Sequence, residues 1–274
     1  GHPVGTIQGF KSEGYYTIDD FTYADGKYTL KPGIPDIQGI VNYPDGVKVL
    51  AADGQTAVPG MPKFADTTGN GDVDEDDKTI IGEAMPQHTG GFTINGNWKA
   101  IDFSVGFTYQ IGGDVYNANA MHSLMGNKDN SAGQNRLKFV SETFKYYDVD
   151  TNGDLMLVKD PTALAALNAN TNYSSFFSEY GIVSSKFIED ASYLRLNTLT
   201  VGYTFPKNWM NKIGLQNARV YFTGSNLFCI DGYSGIDPDV NTKTDGKDGF
   251  PTPYFDYQSY PKARTYTFGV NLTF

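Results

Sequence analysis

Thr265-Tyr266-Thr267-Phe268-Gly269-Val270-Asn271-Leu272-Thr273-Phe274 alternates without a break. Tyr266, Phe268, Val270, Leu272 and Phe274 fall on one face of an extended chain; Thr265, Thr267, Gly269, Asn271 and Thr273 fall on the other. Successive side chains of a strand point to opposite faces, so the segment has one apolar side and one small or polar side. Ile101–Gly112 repeats the pattern: Ile101, Phe103, Val105, Phe107, Tyr109 and Ile111 alternate with Asp102, Ser104, Gly106, Thr108, Gln110 and Gly112. Half-buried strands of soluble sheets alternate over about four to eight residues, whereas a tilted membrane strand needs roughly 9–11. A soluble sandwich accommodates one such strand with its apolar face in the core. Two of them point to an outer-membrane barrel with the apolar face toward lipid.

Four further strands are expected. Val4–Tyr16 is weakly patterned. Phe92, Ile94 and Trp98 share a face, as do Leu199, Val201, Tyr203 and Phe205, and Val220 and Phe222 begin a strand ending near Ile230. Leu194 and Leu196 are out of phase with Leu199, which a bulge near Asn197 reconciles. Lys99-Ala100 reads as a tight hairpin turn. Asn95-Gly96 is the better turn dipeptide by propensity, but the alternation runs through it, which places it inside a strand. Pro206–Asn217 reads as a moderate turn. Thr17–His88, Asn117–Lys186 and Gly232–Arg264 read as long connections. Short and long connections alternate, as in barrels with short periplasmic turns and long extracellular loops.

The composition agrees. The 274 residues include 19 Tyr, 18 Phe and 31 Gly, and only 19% are charged. A mean hydropathy of −0.39 does not oppose a membrane barrel, because only alternate residues of each strand meet lipid. No apolar stretch is long enough for a transmembrane helix. Cys229 is the single cysteine, so neither an intrachain disulfide nor a Cys-cluster metal site is expected. The net charge of −10 comes without a basic stripe, which argues against nucleic acid as a partner. His2, His88 and His122 form no metal-binding spacing and no nucleophile elbow is present, so an enzyme is not expected. The chain begins Gly1-His2-Pro3 and reads as a processed or truncated piece. Six strands left open would expose two sheet edges to lipid, so the remainder of a larger barrel is expected to complete them, including a strand upstream of Gly1 to pair with Thr265–Phe274.

One acidic stretch has metal-loop spacing. Asp66-Thr67-Thr68-Gly69-Asn70-Gly71-Asp72-Val73-Asp74-Glu75-Asp76-Asp77 places side-chain oxygens of Asp66, Thr68, Asn70, Asp74 and Asp77 at positions 1, 3, 5, 9 and 12 of a calcium loop. Gly71 stands at the sharp turn, and Asp72 would offer its backbone carbonyl. Position 12 carries Asp in place of the usual bidentate Glu. The two readings are a structural calcium site in an extracellular loop and a metal-free Asp/Gly turn. Asp148–Asp154 starts the same way but runs into Met156 and Lys159, so it reads as a turn. In the last long connection Tyr233, Tyr254, Phe255 and Tyr257 are candidates to stack on sugars or pack against a partner lid; the alternative is that they pack loop on loop or form an aromatic girdle.

Pro59-Gly60-Met61-Pro62-Lys63-Phe64-Ala65-Asp66, Ile81-Gly82, Tyr193-Leu194-Arg195-Leu196-Asn197, Val201-Gly202-Tyr203 with Phe205-Pro206, Gly224-Ser225-Asn226-Leu227, Tyr233-Ser234-Gly235-Ile236-Asp237-Pro238 and Tyr260-Pro261 with Arg264-Thr265-Tyr266 together resemble the C-terminal third of SusC/RagA-type TonB-dependent transporters. The resemblance implies an all-β fold in which residues 1–274 are the C-terminal segment of a large antiparallel transmembrane barrel of about 22 strands, its plug domain and earlier strands lying elsewhere. It further implies active import of glycans or peptides across a bacterial outer membrane, coupling to the TonB complex through the missing N-terminal parts, and a SusD-like surface lipoprotein as lid. A calcium-stabilised binding or adhesin module and a passive porin are the alternatives.

Overall fold

The computed structural model describes residues 2–125, 135–175, 178–179, 181–240, 255–257 and 259–274. The chain forms two compact units, one from Gly1–Gly82 with Asn117–Ile188 and the other from Glu83–Tyr116 with Glu189–Phe274.

The second unit contains the long strands: β1 (His88–Trp98), β2 (Ile101–Ile111), β3 (Tyr193–Thr204), β4 (Asn217–Asp231) and β5 (Thr265–Thr273). They form one antiparallel sheet in the order β5-β4-β3-β2-β1. The register brings the apolar phases together. Val105 lies between Ile94 and Leu199, Phe103 opposite Val201, and Val201 opposite Phe222, which lies opposite Phe268. One face of all five strands is therefore apolar. Cross-strand aromatic pairs line it, with Phe92 on Phe107 at 5.0 Å and Phe222 on Phe268 at 5.2 Å between ring centres. The opposite face carries Ser104, Thr200, Thr223 and Thr267 on one rung, with the Thr200 and Thr223 hydroxyls 3.0 Å apart.

Four sequence expectations recur as geometry. The register shifts between Leu196 and Thr198, so Asn197 is the extra residue of a bulge that puts Leu194 and Leu196 on the apolar face. Asn226 adopts a positive φ of 52° on the strand opposite, a conformation Asn tolerates better than most residues. Asn95-Gly96 stays inside β1, and the reason is packing: a Cβ at Gly96 would overlap the Phe103 ring of β2. The hairpin turns at Lys99-Ala100, and residues 205–216 carry a short helix, Lys207–Met210, followed by one 3-10 turn.

On the polar face, small residues let long ones lie flat. Arg219 reaches Asp102 two strands away through a two-pronged ion pair, Nε at 3.0 Å and Nη2 at 2.5 Å. It passes over Gly202, where any Cβ would collide with the guanidinium. Tyr221 lies along Gly269 in the same way.

Two expectations are corrected. Val4–Tyr16 is not a sixth barrel strand. Thr6–Gly9 pairs with Thr79–Glu83, and Ser12–Tyr15 pairs with Pro62–Phe64, so neither joins the five-stranded sheet. Thr17–His88 and Asn117–Lys186 are more than connections. With the N-terminal strands they supply a core of Tyr16, Tyr28, Ile37, Leu50, Met61, Phe64 and Val73, all at most 1% exposed. Their strands run two to five residues, too short to display a period. Two of its buried tyrosines pair their hydroxyls with backbone: Tyr16 donates to the Pro35 carbonyl at 2.6 Å and Tyr28 to that of Lys159 at 2.8 Å.

Candidate functional site

The 66–77 loop belongs to the first unit. Asp66 Oδ1 accepts the Gly69 N–H at 2.6 Å and its Oδ2 accepts that of Gly71 at 2.8 Å. Gly71 has a φ of +94°, as the turn requires. Asp77 is fully buried; its Oδ1 accepts the N–H groups of Thr67 and Thr68, and its Oδ2 accepts that of Asp74. Asp74 accepts from Asp76 N and caps the 3-10 turn Glu75–Asp77. Asp72 accepts from Gln38 Nε2, and Asn70 from the Asp72 N–H. Thr68 donates its hydroxyl to Asp66. The loop thus closes largely on its own backbone. No three acidic, His or Cys side chains among the described residues converge as a metal cage.

The electrostatics explain the closure. The Gly71 N–H holds the Asp66 carboxyl below its ordinary range, and the charge of Asp77 opposes it. Burial pushes Asp77 up, but its hydrogen bonds from Asp74, Thr68 and Thr67 outweigh burial and leave it low. Asp148–Asp154 is the turn expected from its sequence: Asp150 Oδ1 accepts the N–H groups of Asn152 and Asp154, and Tyr147–Val149 pairs with Leu155–Leu157.

In the second unit the segment after β4 is fastened to the sheet. Arg195, on β3, donates Nη2 to Asp237 Oδ1 at 2.6 Å, with both side chains at most 10% exposed. Arg195 and Asp237 belong to two of the quoted motifs, 42 residues apart in sequence. Lys262 pairs with Asp239 and stands 4.0 Å from Asp237. The Tyr193 ring lies 5.2 Å beneath the Arg195 guanidinium. Ser234 donates both its N–H and its hydroxyl to Glu189, each at 2.7 Å.

The four aromatics singled out from the sequence divide. Tyr233 is buried with Val115, Ala191 and Val240, and donates its hydroxyl to Asp256 at 2.7 Å. Burial, and then the Asp256 carboxylate, push the Tyr233 hydroxyl up, so it stays protonated and donating. Phe255 is half-buried and stacks on Tyr116 at 5.5 Å, while Tyr257 is more than one-third exposed. Tyr254 lies outside the described residues. Sequence reasoning missed the Arg195–Asp237 pair. The available signal was an arginine in the polar phase of a strand otherwise rich in leucine and threonine.

Comparisons with known proteins follow the same line. No family model matches the chain. TonB-dependent receptor P3 of Formosa agariphila is 31% identical over 234 residues, which cover 85% of this chain and 20% of that protein. TonB-dependent receptor SusC of Bacteroides thetaiotaomicron is 29% identical over 219 residues, covering 77% of this chain and 17% of SusC. The chain therefore spans about one-fifth of the length of these curated relatives. Among solved structures, that of the RagAB peptide transporter matches with a TM-score of 0.57 and 20% identity, over 98% of this chain and 23% of the matched chain. It shares the fold. Over the part of them that it spans, the chain is similar to the SusC/RagA-type TonB-dependent transporters and has the fold of a C-terminal portion of their barrel.

Proposed function

We propose that the chain is part of an outer-membrane active importer of nutrients, either oligosaccharides or peptides, working with TonB and a SusD-like lipoprotein lid. The observation that carries this reading is the continuous apolar face of five long strands, set against a small and polar face and combined with the similarity to SusC and RagAB. Strands β1 and β5 are edges of this sheet, and open edges are untenable in lipid. The remainder of a longer chain closes the barrel around a plug. The peptide named for RagAB makes peptides one of the two substrate classes to test.

The lipid orientation is tested on β2 of the full-length transporter. Val105→Arg puts a charge on the apolar face and is expected to cost about 2–4 kcal/mol near the midplane. Ser104→Arg, one residue earlier on the polar face, is expected to be tolerated. The readout is the fraction of heat-modifiable folded barrel in outer-membrane extracts. Equal yields of the two variants would reverse or abolish the assignment of faces. Co-purification with a surface lipoprotein, and uptake lost when TonB is lost, test the importer against a passive porin.

We further infer that calcium stiffens the Asp66–Asp77 loop. The support is its ligand spacing and the mutual repulsion of Asp66 and Asp77, which a divalent cation relieves. Both carboxyls titrate below their ordinary range in the fold. Their contribution to stability is therefore present above roughly pH 4 and lost as pH falls through their folded values. Millimolar calcium at pH 7 is expected to slow proteolysis of the first unit in the full-length protein, and to lose that effect as pH falls through the folded values of the two carboxyls. No protection at pH 7 sinks the calcium reading.

A further inference from the structure

The register places three features at one end of the five-stranded sheet. They are the Lys99-Ala100 turn, the connection of residues 205–216, and the end of β5. Trp98 is 64% exposed there, Trp209 58% and Phe274 81%. Lys99, Lys207 and Lys212 are exposed beside them. The stretches 95–101, 204–217 and 270–274 hold these three lysines and none of the chain's 31 acidic residues. Asp102, one residue beyond them, is already paired with Arg219, so in a chain of net charge −10 this end carries an excess of cations. Lys99 Nζ stands 4.8 Å over the Trp98 ring. None of the three lysines has an ion-pair partner among the described residues.

Exposed Trp with neighbouring Lys is the chemistry of the membrane interface, where an indole sits at headgroup level and an ammonium meets phosphate. Here the cations are also left uncompensated. A zwitterionic headgroup brings its own ammonium and gains little from three lysines. A headgroup with a phosphate and no cation gains from each. We propose that this end binds anionic phospholipid headgroups of the periplasmic leaflet through Lys99, Lys207 and Lys212, with Trp98 and Trp209 setting the depth. The proposal rests on the membrane-barrel reading above, and adds a lipid selectivity to it.

The test uses the full-length transporter, delipidated in detergent and reconstituted into nanodiscs of equal phosphatidylglycerol and phosphatidylethanolamine. Lipids that remain with the protein after re-extraction are counted by mass spectrometry. The wild type is expected to retain phosphatidylglycerol in roughly tenfold excess, falling to near parity in the Lys99→Gln/Lys207→Gln/Lys212→Gln variant. A Lys138→Gln/Lys145→Gln control is expected to keep the wild-type ratio. Equal ratios for wild type and triple variant overturn the proposal while the barrel reading stands. So does a variant that loses only added lipopolysaccharide, since that lipid occupies the other leaflet. Recovery of both proteins without detergent overturns the barrel reading itself.

Discussion

Arg195→Leu is expected to destabilise the full-length barrel by about 3–5 kcal/mol, because it leaves the Asp237 carboxylate buried without its cation. Among the described residues Asp237 has one other cation nearby, Lys262, at 4.0 Å and already paired with Asp239. The hydrogen bond from Asp239 N remains, which is too little to solvate a carboxylate at 10% exposure. The double variant Arg195→Leu/Asp237→Leu is expected to recover most of the loss, since replacing both partners removes the buried charge. The midpoint of heat modifiability measures the first effect. Proteolysis within residues 231–240 shows where the damage lies. If the single and double variants unfold alike, the pair does not hold the loop to β3 in the way described.

Phe64→Ala is expected to cost a similar amount, about 3–5 kcal/mol, in the first unit. Phe64 is 1% exposed and stacks on Phe10 at 5.3 Å. It also closes the Pro62–Phe64 strand that pairs with Ser12–Tyr15. Removing the ring takes away the stacking partner of Phe10 and leaves a cavity in a core that relaxes only partially. Limited proteolysis of the full-length protein in detergent is the measurement. Fast cleavage within residues 1–82 is expected while the five long strands stay protected, with Phe64→Leu intermediate. An unchanged cleavage rate would mean that this core does not secure the unit.

How much was legible in the sequence follows from what each element repeats. Ile101–Ile111 and Thr265–Thr273 announce themselves because period two persists over nine or more residues. The bulge at Asn197 is legible for the same reason: a break of phase shows only against a steady one. The folded first unit is not legible, because its strands of two to five residues and single 3-10 turns repeat nothing. Its core is drawn from positions as far apart as Phe10 and Ile182, which only the fold brings together. The acidic loop shows a different limit. Its spacing displays every oxygen, but not that the N–H groups of Gly69 and Gly71 already engage Asp66, or that those of Thr67, Thr68 and Asp74 engage Asp77. Arg195 and Asp237 were each visible, but their meeting depends on the path of the chain after β4.

If the polar face lines the bore of the importer proposed above, the flat lie of Arg219 over Gly202 and of Tyr221 along Gly269 sets how wide that bore is. A long side chain standing upright on the inner wall would project several ångströms into the bore. Laid along the wall over a glycine, it adds little more than its own thickness, while still supplying a charge or an aromatic plane to whatever passes. The glycines thus act as recesses. Filling one with alanine would push a guanidinium or a phenol ring toward the axis, narrowing the passage by far more than the added methyl group.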